Sequence, residues 1–315
     1  MPEKVAVVYV AGTGRSGSTL VGSVLGSSSG VVSIGEARHI WTRGLVENWR
    51  CGCGEYFERC PFWTAVLAES SLRRHQIDLD RLRRSERELL RLRASVWTQQ
   101  WVRNPKRLRP DHGYYLDAVE ALYGAIARIS GSRAIVDSSK NPTYGALLST
   151  MRSLDLRVLH LVRDPRAAAY SWLNPKPSLD RAEGATMDRL GTAKSALLWL
   201  WWNRLAEELW PKDGPVPVVT IRYESLAREL ESILTGIRNR LLPELVGRPL
   251  AVNGDIACLG ITHSVSGNPD RMRAGPVTVK PDERWRAGFA PHRQATVLAI
   301  AGLEMLKYGY RWGRR

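Results

Sequence analysis

The sequence predicts an α/β fold in which a central parallel sheet is flanked by helices and carries a helical insertion. Two observations predict this class. Short β-branched segments recur with a helical pattern after each, and the first of them runs into a glycine-rich loop. The 315 residues are 44% hydrophobic and 24% charged, which allows a large core and excludes wholesale disorder. We expect a single domain over residues 1–315.

The first strand is predicted at residues 4–11, where a continuous β-branched run is typical of a strand buried on both faces. The glycine-rich segment 12–17 follows. Residues 18–25 then place their apolar side chains at helical spacing. This order of strand, loop and helix begins the α/β pattern.

Three further strands are predicted at residues 134–137, 157–162 and 216–221. Pro142 and Pro165 open the helices after the first two, since proline is tolerated in the first turn of a helix. Alternation of strands and helices favours parallel pairing.

The remaining segments are less regular. Residues 61–130 form the predicted helical insertion, and part of it carries one apolar stripe on a charged helix. Residues 253–282 are rich in Gly, Pro and Ser and are predicted to be a long functional loop. Residues 294–308 are predicted to be a closing helix.

The glycine loop almost fits the nucleotide-triphosphate pattern G-x-x-x-x-G-K-[ST]. Gly12, Gly17 and Thr19 match, but Ser18 stands in the place of the lysine. The loop cation is Arg15 instead. Backbone N–H groups here can hold a phosphate, but the usual ATP chemistry needs the missing lysine. A tight turn that only closes a strand against a helix is the alternative.

A second anion site is predicted where the strand at 157–162 ends. Arg163 follows this strand, and Ser171 lies eight residues later, in the early turns of the next helix. Open α/β sheets bind ligands at the carboxyl ends of their strands, so the pair can grip one phosphate from two sides. An ion pair of Arg163 with Asp164 before an ordinary helix is the alternative.

The two motifs together resemble those of sulfotransferases that use 3′-phosphoadenosine 5′-phosphosulfate (PAPS). Residues 14–19 are similar to the 5′-phosphosulfate loop of that family, and residues 160–172 to its 3′-phosphate motif. The resemblance implies a P-loop NTPase-like sulfotransferase fold over nearly the whole chain. It also implies transfer of a sulfuryl group from PAPS to an acceptor hydroxyl or amine, with release of 3′-phosphoadenosine 5′-phosphate. No metal is expected to be required, because cations of the chain hold the nucleotide.

The resemblance also implies the residues that bind the co-substrate. Tyr223 lies in a segment similar to the family's R-Y-E-D-L and is expected to contact adenine, and a basic loop is expected to fold over the 3′-phosphate. The full set of nucleotide-binding residues is Gly14, Arg15, Ser16, Gly17, Ser18, Thr19, Arg163, Ser171, Tyr223, Arg271 and Arg273.

The expected catalytic residues are Glu36, Arg15 and Lys140. Glu36 follows a glycine at the distance at which the tyrosylprotein and heparan-type branches carry their catalytic Glu, and the motif pattern is closest to those branches. His39 is the alternative base, and an ion pair of Glu36 with Arg38 is the structural alternative. Lys140 follows a strand, and the resemblance implies that it stabilises the transition state; it could also be a surface lysine.

Three of the four cysteines, Cys51, Cys53 and Cys60, lie within ten residues. Zinc, with Cys258 or a histidine as the fourth ligand, is one interpretation, although the spacing is not a standard zinc pattern. A buried structural cluster or a labile disulfide is the other. Related bacterial sulfotransferases show a similar segment, which does not reveal its purpose.

Charge predicts an anionic partner. Lys and Arg number 46 against 31 Asp and Glu, a net charge of +15, and twelve of the basic residues lie at 73–109 beside four acidic ones. An acidic acceptor or a membrane surface would fit this basic segment, and a solvated helix face would too. The acceptor itself, whether a small molecule, glycan, lipid or peptide, is not encoded in a motif.

Two other function classes are less consistent with the sequence. A P-loop kinase or NTPase would need the missing lysine and an apolar strand that ends in an acidic pair. A nucleic-acid binder would need basic residues interleaved with aromatics on a recognisable module, and would leave the glycine loop unexplained. The sequence shows no apolar run long enough to span a bilayer and no secretory signal pattern, so we expect a cytoplasmic location.

Overall fold

A computed structural model describes residues 4–70, 72, 77–91, 97–181 and 185–312. A five-stranded parallel sheet with strand order β2-β3-β1-β4-β5 forms its centre. The strands are β1 (Val5–Gly12), β2 (Val31–Gly35), β3 (Ala134–Lys140), β4 (Leu154–Val162) and β5 (Val218–Arg222). The predicted parallel α/β class is therefore confirmed.

Helices cover both faces of this sheet. Side chains of β1 alternate between two buried clusters: Val7 and Tyr9 pack with the insertion helices, and Val8 and Val10 pack with α1 and α10. The helices are α1 (Ser18–Gly26), α2 (Pro61–Glu69), α3 (Leu79–Leu89), α4 (Thr98–Arg103), α5 (Arg109–Ser130), α6 (Pro142–Ser149), α7 (Pro165–Leu173), α8 (Thr192–Leu209), α9 (Tyr223–Arg228), α10 (Leu230–Leu241), α11 (Trp285–Gly288) and α12 (Pro291–Lys307).

The insertion is helical, as predicted, and comprises α2 to α5. On the basic helix α3, Leu82 and Leu89 are buried, so the apolar stripe faces the core. The predicted stripe comprises Leu79, Leu82, Leu89, Leu92 and Val96. Its last two members lie outside the described residues, as do several arginines of the basic segment 73–109. Among the described residues, no helix is long and apolar enough to cross a membrane.

The sequence missed one strand of the central sheet, and its prediction of a long loop at residues 253–282 was wrong. Strand β2 was not predicted; it has five residues, one of them a serine, and its only neighbouring strand is β3, with an isolated bridge from Gly35 to Val265 on the other side. The segment 253–282 is not a structureless loop. It contains most of a three-stranded antiparallel sheet of β6 (Val252–Asn253), β7 (Ile256–Leu259) and β8 (Gly275–Thr278). These strands are too short to show an alternating pattern.

Candidate functional site

The glycine loop connects β1 to α1 in a conformation that needs its glycines. Gly17 has a φ of 90°, and a Cβ there would lie 2.6 Å from the ring of Tyr223. A Cβ on Gly14 would lie 2.5 Å from the ring of Trp172. Arg15 itself has a positive φ of 68°. The loop is therefore a tightly packed turn whose backbone leads into the N-terminus of α1, an arrangement that suits an anion.

A cavity of about 540 Å³ opens at this loop. Ten Arg and Lys residues and five Asp and Glu residues line it, so its walls are predominantly positive. This volume lies in the range of small-molecule sites, about 300–1,000 Å³. The predicted site residues that line it are Gly14, Arg15, Gly17, Ser18, Thr19, Glu36, Lys140, Arg163, Ser171, Tyr223 and Arg273.

Glu36 and Lys140 form an ion pair in this cavity. Strands β2 and β3 are neighbours; Glu36 directly follows β2, and Lys140 is the last residue of β3. The Lys140 Nζ lies 2.7 Å from Glu36 Oε1 and donates to the Ser138 carbonyl at 2.8 Å. Both side chains are nearly buried. The nearest Arg38 nitrogen is 3.9 Å from Glu36, so Lys140 rather than Arg38 is its main partner.

The charges around Glu36 keep it ionised. Burial alone would raise the pKa of Glu36, but the charges of Lys140, Arg38 and Arg43 outweigh burial and lower it. Burial lowers the pKa of Lys140, and the Glu36 carboxylate opposes that effect. A carboxylate held in this way is available to accept a proton.

His39 lies beside the same carboxylate. Its Nε2 is 3.6 Å from Glu36 Oε2, is buried, and has no hydrogen-bond partner among the described residues. Burial and the nearby charges of Arg38, Arg43 and Lys140 hold the pKa of His39 well below its usual range. The imidazole is therefore neutral at pH 7 and is the second candidate base.

Arg15 and Trp172 form one wall of the cavity near the loop. The guanidinium of Arg15 lies 4.8 Å from the ring centroid of Trp172, and its Nη1 contacts the Met187 sulfur at 3.4 Å. Arg15 Nε is buried without a hydrogen-bond partner in the described part of the chain. The guanidinium is thus oriented by packing and retains a donor for a ligand.

Arg163 is fixed on the other side of the loop. Its Nη1 donates to the Arg15 carbonyl at 2.9 Å, and its Nη2 lies 3.2 Å from the Asp282 carboxylate. The guanidinium also stacks on the ring of Tyr223, 4.5 Å from the centroid. Ser171 lies in α7 and lines the same cavity. The structure therefore gathers Arg163, Ser171 and Tyr223 as the sequence predicts.

Two predicted nucleotide-binding residues do not face the cavity. Arg271 is buried; its guanidinium donates to the carbonyls of Ser264 and Arg50 and pairs with Asp180 at 3.1 Å. These partners occupy it in the interior, so the prediction that it folds over a phosphate is wrong. Ser16 is also buried, with its hydroxyl 3.2 Å from that of Thr13. Arg273 lines the cavity, where it pairs with Asp270 at 3.1 Å.

Several cavity residues were missed by sequence reasoning. Asp282 and Arg284 come from the segment between β8 and α11. Arg43 and Arg181 each lie over the ring of Trp49, at 4.5 and 4.4 Å from its centroid. These residues are distant in sequence, and no motif marks them. Trp172 is the exception, because it directly follows Ser171 in a segment that the sequence had singled out.

Known proteins that are similar to this chain include sulfotransferases. A family model described as "Sulfotransferase family" matches residues 7–242. Among solved structures, the chain is similar to the "Sulfotransferase Domain from the Curacin Biosynthetic Pathway", at 16% sequence identity, with 99% of each chain covered and a TM-score of 0.47. No curated protein matches the chain.

Proposed function

The chain belongs to the sulfotransferase family, and from this premise we propose that it transfers a sulfuryl group from PAPS to an acceptor hydroxyl or amine. The observation that carries the proposal is the Glu36–Lys140 pair, 2.7 Å apart, in one cavity with the glycine loop and with Arg163. This cavity combines a proton acceptor, a cation for the transferred group and two separate positions for phosphates.

The co-substrate would lie along the loop. Residues 14–19 and the N-terminus of α1 would hold the 5′-phosphosulfate, with Arg15 supplying the positive charge. Arg163 and Ser171 would hold the 3′-phosphate, and Tyr223 would contact the adenine. Tyr223 packs against Gly17 and Arg163, so one ring connects the two phosphate positions. Arg273 lies at the edge of the cavity and would contribute charge there.

The chemistry follows from the Glu36–Lys140 pair. The acceptor oxygen would form a bond to sulfur while the bond from sulfur to the bridging phosphate oxygen breaks. The electron pair of that bond would remain on the phosphate of 3′-phosphoadenosine 5′-phosphate, and the acceptor proton would go to Glu36. Protonation of Glu36 removes its attraction for Lys140, so the ammonium can then donate to the departing oxygen. A general base contributes about 10²–10⁴-fold to such a rate.

The acceptor would enter beside His39, Arg43 and Trp49, which line the cavity on the side of the Glu36 carboxylate. The guanidiniums of Arg43 and Arg181 both lie over the ring of Trp49 and share one acidic partner, Asp188. This side therefore carries a net positive charge that would attract an anionic group. Small molecules, glycans, lipids and peptides that carry a hydroxyl or amine are the acceptor classes to test. The basic segment 73–109 favours an acidic acceptor or a membrane surface over a neutral one, and we do not expect nucleic acid.

The experiment measures release of 3′-phosphoadenosine 5′-phosphate from PAPS by chromatography, with pooled acceptors of each class. We expect one pool to raise the rate and Glu36→Gln to lower that rate by about 10²–10⁴-fold, with nucleotide affinity kept. Glu229→Gln, at an exposed position directly before α10, is the matched control and should leave the rate unchanged. If Glu36→Gln keeps the acceptor-dependent rate of wild type and a His39→Gln variant loses it, the base is His39. Loss of nucleotide affinity in Glu36→Gln would contradict the proposed role of this carboxylate.

A further inference from the structure

The three neighbouring cysteines meet a distant histidine. The Sγ atoms of Cys51, Cys53 and Cys60 and a ring nitrogen of His263 all lie within 4.8 Å of one another. Cys51 and Cys60 are buried, and the other two residues are half-buried. From this geometry we propose that Cys51, Cys53, Cys60 and His263 bind a Zn²⁺ ion, and that the ion has a structural role.

The distances fit a tetrahedral ion. With Zn–S near 2.3 Å and Zn–N near 2.0–2.1 Å, neighbouring ligand atoms in a tetrahedron are about 3.5–3.8 Å apart. Cys60 Sγ lies 3.6 Å from Cys51 Sγ and 3.7 Å from Cys53 Sγ. His263 Nδ1 lies 3.3 Å from Cys60 Sγ and 3.8 Å from Cys51 Sγ. A disulfide would bring two sulfurs to about 2.0 Å and leave the third cysteine and the histidine without a role.

The backbone holds these ligands in place independently of an ion. The Cys51 N–H donates to the Glu55 carbonyl at 2.7 Å, and the Gly54 N–H donates to the Cys51 carbonyl at 2.9 Å. Gly54 has a φ of 94°, which closes this tight turn. The turn directs the side chains of Cys51 and Cys53 towards Cys60, which is the residue directly before α2.

His263 is fixed by two contacts from the same turn and helix. The Gly52 N–H donates to the Ser264 carbonyl at 3.0 Å, which places the histidine beside the turn. The imidazole stacks on Phe62 at 4.8 Å between centroids and 11° between planes. That stacking orients the ring so that Nδ1 faces the sulfurs. All four protein ligands are therefore supplied, as in closed structural zinc sites.

The ion would connect this cysteine turn to the segment that supports the catalytic base. Val265, two residues after His263, accepts from the Glu36 N–H at 2.8 Å and donates to the Ile34 carbonyl at 2.9 Å. Arg43 donates to Ser266, the next residue. A zinc ion at His263 would hold this segment against β2 and so fix the backbone of Glu36. It would not touch substrate, because none of its four ligands lines the cavity.

The test uses the full chain, purified without a metal-affinity step, and measures bound metal by mass spectrometry of the elements. We expect about one zinc per chain, as closed Cys/His sites retain zinc through purification. Replacement by Co²⁺ should give the thiolate charge-transfer band and the intense visible absorption of a tetrahedral site. Cys53→Ser and His263→Gln should weaken metal retention and change the cobalt spectrum. Cys258→Ser is the control, because Cys258 lies exposed on β7, outside the cluster, and should retain the wild-type zinc content.

If a variant fails to fold, the wild-type protein alone still shows whether the three cysteines bind zinc. A mercurial that titrates the thiols should release zinc in step with the modification of three cysteines. Protein without zinc, with no thiolate–cobalt band and with a disulfide among these cysteines in peptide mapping, would overturn the proposal. Zinc content that falls equally in Cys258→Ser would overturn the ligand assignment. Nucleotide affinity does not enter either result, so failure here is distinguishable from failure of the proposed transferase activity.

Discussion

The Lys140 ammonium lies 2.7 Å from the Glu36 carboxylate, and the two residues come from the ends of neighbouring parallel strands. Lys140 adopts a φ of 67°, in the left-handed region that residues other than glycine rarely occupy. Backbone strain of this kind costs about 1–3 kcal/mol and persists only where the surroundings enforce it. The left-handed conformation at the end of β3 therefore directs this ammonium to Glu36 in the cavity rather than into solvent.

Removal of the Lys140 charge should change the pH dependence of the reaction. In Lys140→Met, burial would dominate the pKa of Glu36, and that pKa would rise. The acid limb of the kcat/KM profile should then move to higher pH, and turnover should fall by about 10²–10³-fold, as expected for loss of one preorganised donor. Measurement of the profile from acid to neutral pH checks this. Lys194→Met, at an exposed position of α8, should leave the profile unchanged; an unshifted acid limb in Lys140→Met would contradict the pairing.

Gly17 is expected to be required for nucleotide binding. An alanine Cβ would meet the Tyr223 ring at 2.6 Å and force a φ of 90° on a residue with a side chain. The free loop of the variant should relieve this strain of about 1–3 kcal/mol by leaving the conformation that holds the nucleotide. The affinity for 3′-phosphoadenosine 5′-phosphate should therefore fall by roughly 5- to 150-fold. Calorimetric titration measures this affinity. Gly113→Ala is the control, because its Cβ would make only an ordinary contact in helix α5, 4.0 Å from Arg109 Cβ, and the substitution should stabilise the fold slightly. Equal affinities in the two variants would show that the loop does not hold the nucleotide.

Asp282 is expected to oppose nucleotide binding. Its carboxylate pairs with Arg163 at 3.2 Å, and hydrogen bonds from Arg284 together with the Arg163 charge hold the pKa of Asp282 well below its usual range. A phosphate that binds at Arg163 must either displace the Asp282 carboxylate or lie close to it, and the two negative charges repel each other. Asp282→Asn should therefore tighten binding of 3′-phosphoadenosine 5′-phosphate by about tenfold, or ~1.4 kcal/mol.

The control for this prediction is the neighbouring residue. Glu283→Gln removes the same charge next to Asp282, but Glu283 pairs with Arg228 and Arg286 instead of Arg163. It should change the affinity by much less. An Asp282→Asn variant that binds the nucleotide more weakly than wild type would indicate that Asp282 orders Arg163 for the phosphate instead of competing with it.

Glu86 is expected to make the fold less stable as pH rises. Burial raises the pKa of Glu86 to about 7, above its usual value of 4.5. The folded protein therefore binds this proton more tightly than the unfolded chain, so stability falls between about pH 4.5 and pH 7. Glu86→Gln should remove this loss. The difference in free energy of unfolding between the variant and wild type should therefore be larger at pH 8 than at pH 4.5, in favour of the variant, by up to about 3 kcal/mol.

Denaturant unfolding of both proteins at several pH values tests this. Glu88→Gln, two residues further along α3 and exposed, should give a curve parallel to that of wild type. If the Glu86→Gln curve is also parallel to wild type, Glu86 is ionised in the fold at neutral pH and the account of its burial is wrong.

The sequence predicted the centre of the fold because four strands carry β-branched runs and stand before helices. It missed β2, which has a serine among its five residues, and it missed the sheet of β6 to β8, whose strands have two to four residues. Such short segments are held by tertiary pairing, which local pattern does not record.

Prediction of the site had the same limit. Glu36, Lys140, Arg163 and Ser171 lie in or beside motifs, and the structure brings them to one cavity. Arg271 was misplaced because its partner Asp180 lies 91 residues earlier in the chain. His263 was not identified as a partner of the cysteines for the same reason, since 203 residues separate it from Cys60. Contacts of this range depend on the complete fold.

Selective stabilisation by 3′-phosphorylated nucleotide is the most direct test of the central claim. Thermal unfolding would be followed with 3′-phosphoadenosine 5′-phosphate, with ADP, and with ATP in the presence and absence of Mg²⁺. A ligand at 100 times its dissociation constant adds about 2.7 kcal/mol to the stability of the fold. We predict that the 3′-phosphorylated nucleotide raises the melting temperature most, without Mg²⁺, and that Arg163→Met removes this preference. A larger shift with ATP and Mg²⁺ would contradict the assignment of Arg163 and Ser171 to a 3′-phosphate, and with it PAPS as the donor.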